Sequence, residues 1–319
     1  MQRSSSSRHR PYSLEHVTDP IDEAVAILRR GGLVGIPTET VYGLAADASN
    51  DAAVRRIFEA KGRPADHPLI VHIGSTVEMG SWAASIPESA QVLADACWPG
   101  PLTLLVPRAD HVLSVVTGGR DTVGLRVPAH PMALELLRRF GGALAAPSAN
   151  RFGQVSPTTA EHVRSDLGDA VDLVLDGGPC PIGVESTIVD CTVSPPQVLR
   201  PGGIATEVIS RLLDGVITAP TGPARASGML ASHYAPRCRV EIVDTLEQAT
   251  TNAAVHADAG LRADVLDPTT DLVTAAQQLY NWLRDADTRK LDVLVAVLPP
   301  AVGLGHAIRD RLIKAAGLG

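Results

Sequence analysis

The chain has 319 residues, 45% of them hydrophobic but only 3% aromatic, and a formal net charge of −7. That length suggests about two domains whose cores rest on Ala, Val, Leu and Ile, and the acidic balance argues against a large nucleic-acid footprint, which needs clustered Lys and Arg. Four widely spaced cysteines (Cys97, Cys180, Cys191, Cys238) give neither a zinc motif nor a disulfide framework and fit a reducing cytosol, and no apolar run is long enough to span a bilayer.

Met1–Arg10 is rich in Ser and Arg but has no apolar segment of the secretory type, so residues 1–14 are expected to form a disordered tail. Asp19-Pro20 reads as an N-cap followed by Pro at the first helical position, and Ile21, Ala24, Val25, Ile27 and Leu28 form an apolar stripe ending at Gly31. Leu33–Ile36 is a short buried strand stopped by Pro37. The stretch that follows, Pro37-Thr-Glu-Thr-Val-Tyr-Gly-Leu44, places hydroxyls, a carboxylate and a phenol on a loop at the carboxyl end of a strand, where open α/β sheets bind ligands. A helix capped by Asn50 or Asp51 runs to about Ala60 and ends in Lys61-Gly-Arg63, adding two cations suited to a phosphate or carboxylate.

Pro68–Ile73 reads as a strand with Ile70 and His72 on one face and Leu69, Val71 and Ile73 on the other. A weakly helical stretch, Ser75–Cys97, precedes the turn Trp98–Pro101 and the strand Leu102–Val106. Thr122–Val127 is a strand carrying Arg126 among apolar neighbours; an unpaired buried guanidinium is costly, so its partner is either an internal carboxylate or the carboxylate of a small substrate. Next come a helix over Pro131–Phe140, the small-residue strand Ala143–Ala146 leading into Pro147-Ser-Ala-Asn150, a helix near Thr159–Leu167, and strands at Val171–Leu175, Ser186–Asp190 and Val198–Arg200. A helix over Ala205–Leu213 closes this part. Strands and helices mix without strict alternation, which points to a mixed rather than a doubly wound parallel sheet.

The breaker-rich segment Gly215–Pro236 reads as a linker, with Tyr234 conspicuous in it. Beyond it, a strand at Val240–Val243, a long helix over Thr270–Ala286, a strand at Leu291–Leu298 and a helix over His306–Ala316 describe a smaller α/β unit. No G-x-G-x-x-G opens a strand-helix unit, so a dinucleotide site is not expected.

Taken together, Pro37–Leu44, Lys61-Gly-Arg63, Trp98–Thr103, Gly124–Pro128, Pro147–Asn150, Glu185–Ile188 and Leu199–Gly202 resemble the YrdC-type threonylcarbamoyl-AMP synthases over about residues 15–215. His233-Tyr-Ala-Pro236 and Gly303–Ile308 resemble the longer, two-domain branch of that family. The resemblance implies a YrdC-like twisted mixed sheet with helices (15–215), a linker or lid (216–237) and a smaller C-terminal α/β, Rossmann-like domain (238–319). It implies a nucleotidyltransferase that makes L-threonylcarbamoyl-AMP from L-threonine, bicarbonate or CO2, and ATP, with release of pyrophosphate, as the first step of tRNA threonylcarbamoyladenosine formation. By resemblance, Thr40, His72, Arg126, Ala146 and Ser186 hold threonine; Arg63, His67, Thr122, Ser148, Ser156, Arg200 and Tyr234 hold ATP; and Lys61 lies on the phosphates, Lys61 and Arg63 being the catalytic cations. Mg2+ arrives with the ATP phosphates, with no protein metal site and no tightly bound organic cofactor. The downstream partner is a tRNA threonylcarbamoyl-transferase complex, direct tRNA binding is weak or absent, and the location is cytoplasmic, away from membranes. Ala226–Ser232 is neutral where the family usually carries basic residues. The alternative reading is a non-catalytic RNA-binding module using Arg55, Arg56, Lys61 and Arg63.

Overall fold

The computed structural model describes residues 19–219, 221 and 234–318; the expected tail and the neutral stretch Ala226–Ser232 lie outside them. In chain order the elements are α1 (Pro20–Arg29), β1 (Val34–Ile36), β2 (Gly43–Asp47), α2 (Asp51–Lys61), β3 (Ile70–His72), α3 (Met79–Trp82), α4 (Glu88–Cys97), β4 (Leu102–Pro107), α5 (Ser114–Thr117), β5 (Thr122–Arg126), α6 (Pro131–Phe140), β6 (Leu144–Ala145), α7 (Ala160–Leu167), β7 (Leu173–Val174), β8 (Thr187–Asp190), β9 (Gln197–Arg200) and α8 (Thr206–Leu212). After the linker come β10 (Arg239–Val243), α9 (Leu246–Asp258), β11 (Ala263–Leu266), α10 (Leu272–Thr288), β12 (Val293–Val297) and α11 (Gly305–Ala315).

The first nine strands form one mixed sheet in the order β7-β1-β2-β6-β3-β5-β4-β8-β9. Its parallel pairs are β1 with β7, β3 with β5 and β4 with β8; the other pairs are antiparallel. The mixed sheet expected from the non-alternating pattern is therefore present. β3 lies between β6 and β5, so its alternation has direct consequences. Leu69, Val71 and Ile73 join the main core, while Ile70 and His72 line a cavity on the opposite face.

Two elements of this region depart from the sequence reading. Gly43–Asp47, expected to be loop, is a strand, because its backbone pairs with β1 on one side and β6 on the other. Ser75–Cys97 is not one helix but a 3-10 turn at Thr76–Glu78 followed by α3 and α4. The helix ends follow their sequence signals: Asp19 accepts from Ile21 N, Asn50 from Ala53 N, and Gly62 and Gly141 close α2 and α6 in the left-handed conformation.

The second sheet is wholly parallel, with β12 between β10 and β11. Here α9 and β11 were not expected from the sequence. The two sheets are joined by a shared apolar cluster in which Val41, Val155 and Val184 pack with Tyr234, Leu279, Tyr280, Leu283, Ile308 and Leu312. The approach is close: a Cβ on Gly183, whose φ is +81°, would lie 2.4 Å from the Ala276 carbonyl oxygen of α10. Glycine is required there both for its backbone conformation and for its lack of a side chain.

Candidate active site

The cavity lies at the strand ends, where β3, β5 and β9 finish in His72, Arg126 and Arg200, and Tyr234, ahead of β10, joins its wall. It is lined by Thr38, Thr40, Val41, Gly43, Arg63, Ile70, His72, Arg126, Ala146, Pro147, Ser148, Glu185, Ser186, Arg200 and Tyr234, and holds about 550 Å³ of space including its mouth. Nine residues singled out from the sequence meet in it: Thr40, Arg63, His72, Arg126, Ala146, Ser148, Ser186, Arg200 and Tyr234.

The Thr38–Val41 turn is self-wired. Thr38 Oγ1 donates to Val41 O at 2.6 Å and accepts from the amides of Thr40 and Val41. With that proton committed, Thr40 Oγ1 is the donor in the 2.8 Å contact with Thr38 Oγ1, and it accepts from Arg126 Nη2 at 2.9 Å. Arg126 Nη2 also donates to Glu39 Oε1 at 2.6 Å, and Nε donates to Gly100 O at 3.3 Å. Glu39 Oε2 accepts from Ala129 N. Burial, the largest single influence, would raise the Glu39 carboxyl, but the Arg126 guanidinium and the backbone amides, Ala129 among them, together hold it below the usual carboxylate range. Of the two alternatives for Arg126, the internal carboxylate is present as Glu39, and the residue also lines the cavity. Its Nη1 has no hydrogen-bond partner among the described residues.

His72 is buried, and burial with the nearby Arg126 charge pushes its pKa down to about 3. The ring is therefore neutral at pH 7, and its Nδ1 has no partner among the described residues. It is not a satisfied core histidine. A buried polar atom left open on a cavity wall is uncommon and marks a place where a ligand or a water can bond. Ser186 Oγ lies 2.8 Å from Thr103 Oγ1, and Arg200 binds the Ser186 backbone oxygen through Nε (3.1 Å) and Nη2 (2.8 Å). Gly202 makes this turn possible. A Cβ there would sit 2.3 Å from Glu185 O and 2.4 Å from Thr187 N. Gly202→Ala is expected to lower stability by roughly 1–3 kcal/mol through backbone displacement, measurable as a fall in the thermal unfolding midpoint.

Arg63 Nη2 donates to Pro68 O, and its guanidinium lies 5.9 Å from the Phe152 ring centroid. Burial lowers the Arg63 pKa to about 10, which leaves it cationic. His67 packs edge-on against the same ring at 5.3 Å. Phe152 was not anticipated from the sequence. Four anticipated residues stand outside the cavity lining. His67 lies on the Phe152 rim, and Thr122 sits at the start of β5 opposite Pro107. Ser156 donates to Glu185 Oε1 at 2.7 Å. Lys61 is buried with Nζ donating to the carbonyl oxygens of Ser148 (2.5 Å) and Asn150 (2.6 Å), so it fixes the loop that presents Ser148; burial and the nearby Arg63 charge push its pKa well down.

The RNA-binding alternative loses its patch. Arg55 is paired with Asp51 and Arg56 with Asp172, while Lys61 and Arg63 are buried. Sequence reasoning overlooked Glu185 as a site residue. Its carboxylate lines the cavity, and although burial raises its pKa, Arg311 and Arg200 bring it to about 2.

Three guanidiniums, a neutral imidazole and several hydroxyls against one lining carboxylate define an enzyme cavity for a small anionic substrate rather than a macromolecular groove. The comparisons narrow the class. Residues 26–202 match the Sua5, YciO and YrdC family model, described as telomere recombination, and residues 204–317 match the model described as threonylcarbamoyl-AMP synthase, C-terminal domain. The chain belongs to the Sua5/YciO/YrdC family, in the branch that carries this C-terminal domain. It is 42% identical over 316 residues to the threonylcarbamoyl-AMP synthase of Pyrococcus abyssi, covering 92% of this chain and 93% of that one. It is 41% identical over 331 residues to that of Bacillus subtilis, covering 94% of each. The structure of P. abyssi Sua5 complexed with L-threonine superposes with a TM-score of 0.89 at 40% identity, covering 93% of this chain and 94% of that one. Among the described residues no helix is long and apolar enough to cross a membrane.

Proposed function

We propose that this protein condenses L-threonine, bicarbonate or CO2, and ATP into L-threonylcarbamoyl-AMP and releases pyrophosphate, as the first step of tRNA threonylcarbamoyladenosine formation. The observation that carries this reading is the single cavity in which Thr40, His72, Arg126 and Ser186 meet Arg63, Ser148, Arg200 and Tyr234. The first group, with Ala146, takes threonine; the second, with His67, Thr122 and Ser156, takes ATP. Lys61 acts by fixing the Ser148–Asn150 loop beside the phosphates.

The chemistry suits such a site. The neutral amine of threonine attacks the carbon of CO2 and loses a proton, giving a carbamate. A carbamate oxygen then attacks the α-phosphorus, the bond from that phosphorus to the bridging oxygen breaks, and pyrophosphate leaves with the electron pair. Neither step needs a covalent nucleophile on the protein. Both need close placement, cations against developing phosphate charge, and exclusion of water from a labile carbamate. Arg126 offers Nη1 to the threonine carboxylate, and neutral His72 offers its open nitrogen. Magnesium enters as the counter-ion of ATP, part of the substrate. Residues 216–237, most of which lie outside the described residues, link a catalytic domain (15–215) to a C-terminal domain (238–319), and Tyr234 serves the nucleotide side of the cavity. The product passes to a tRNA threonylcarbamoyl-transferase complex in the cytoplasm, without tight tRNA binding by this chain.

The test is direct. Incubation with MgATP, bicarbonate and threonine is expected to yield threonylcarbamoyl-AMP by mass spectrometry, with stoichiometric pyrophosphate. Absence of product with magnesium present would refute the reading.

A further inference from the structure

The C-terminal domain reaches the cavity through one carboxylate and one aromatic ring. Glu185 accepts from Arg311 Nε at 2.8 Å and from the Tyr280 hydroxyl at 2.9 and 2.7 Å, in addition to Ser156. Arg311 has no exposed surface, and its guanidinium carbon lies 5.1 Å from the centroid of the Tyr234 ring. Tyr280 stacks on that same ring with centroids 5.8 Å apart and planes 28° from parallel. Tyr234 holds a φ of +63°, a conformation that a bulky residue keeps only when its surroundings impose it. Glu185 and Tyr234 both line the cavity; Arg311 and Tyr280 do not. One pair of side chains from α10 and α11 therefore sets two walls of the site, one at Glu185 beside Ser186 and one at Tyr234 near the end of the linker.

This arrangement is placed where it affects more than folding. A buried Arg–carboxylate pair adds little net stability over an apolar pair of the same volume. Arg311 nevertheless occupies the apolar stripe of α11, with Ala307, Ile308, Leu312 and Ala315 buried around it. We propose that Arg311 and Tyr280 are positioning residues for the reaction, through which the C-terminal domain holds Glu185 and Tyr234 in their places in the cavity. The proposal rests on the adenylate-forming reading above.

The test uses the full chain with Arg311→Met, Arg311→Lys and Tyr280→Phe, assayed well below each variant's own unfolding midpoint. Initial rates of pyrophosphate release give kcat and the KM for ATP and for threonine, and calorimetric titration gives the Kd of each substrate. Arg311→Met is expected to lower kcat/KM for both substrates about tenfold or more, since it releases both walls. Tyr280→Phe, which keeps the ring under Tyr234 and loses only the hydroxyl on Glu185, is expected to cost about threefold, mostly on the threonine side. Arg311→Lys keeps the charge and is expected to recover part of the loss. Values for Arg311→Met and Tyr280→Phe within twofold of wild type, in kinetics and in Kd, would overturn the positioning role. If Arg311→Met does not fold, Tyr280→Phe decides alone. If the wild type makes no product, the adenylate-forming reading fails, and the titrations still decide: unchanged Kd values, or no binding by the wild type, overturn this proposal as well.

Discussion

Arg126→Ala is expected to raise the threonine concentration needed for half-maximal rate about tenfold or more, while the ATP requirement changes little. The magnitude follows from the loss of a charge-assisted contact, worth roughly 1.5–3 kcal/mol. The selectivity follows from place: Arg126 is bonded to Thr40 and paired across strands with His72, both assigned to threonine, and among the described residues its side chain bonds to none of those assigned to ATP. A second effect accompanies the first. Glu39 is buried, and without Arg126 its carboxylate keeps the Ala129 amide but loses its only ion-pair partner among the described residues. Breaking one side of a buried pair costs about 3–5 kcal/mol. Stability and substrate use must therefore be separated. In the double variant Glu39→Gln, Arg126→Met the uncompensated charge is gone, so most of the lost stability is expected to return while threonine use stays impaired. Equal effects of Arg126→Ala on threonine and ATP would remove it from the threonine side.

Much of this site was readable in the sequence because the signals were local. Hydroxyls and cations fell at strand ends, and apolar runs bounded by Pro or Gly located those ends. The stripe from Ile21 to Leu28 and the Pro131–Phe140 helix match α1 and α6 closely. The strand β2 was not legible, because Gly-Leu-Ala-Ala-Asp carries no β-branched residue; only pairing with β1 and β6 makes it a strand. The helix α9 did have a signal, the Thr245–Gln248 capping box, which the sequence reading passed over. The coupling of the two domains had only a faint one. Arg311 interrupts an apolar helical stripe, and its partner Glu185 lies 126 residues away. A stripe can show that a buried cation needs a carboxylate, but not which one. For the same reason Arg126 could be recognised as a buried charge without Glu39 being named.

Acidification from pH 7 to pH 5 is expected to cost the protein about 2 kcal/mol of stability through His72 alone. Burial, with the Arg126 charge beside it, pushes this imidazole down to about 3 from its ordinary 6.5, and Glu39 only partly opposes the shift. The unfolded chain therefore takes a proton at His72 as pH falls through 6.5, and the folded chain does not until about 3. Within that window the unfolded state binds more protons, so stability is full above 6.5 and declines towards 3. His162, brought to about 4 by burial and Arg284, acts in the same direction. Below 4.5 Glu185 adds its own loss, since its carboxylate is held to about 2 in the fold and protonates more readily in the unfolded chain. Urea unfolding at pH 7 and pH 5 measures the decline, and His72→Gln, which cannot take up that proton, isolates one part of it. The variant's loss between the two pH values is expected to be smaller than the wild type's by about 2 kcal/mol. Equal losses would mean that the folded protein protonates His72 as easily as water does. That would be incompatible with a dry wall beside Arg126, and so with a cavity able to keep a carbamate from water long enough to reach the α-phosphate.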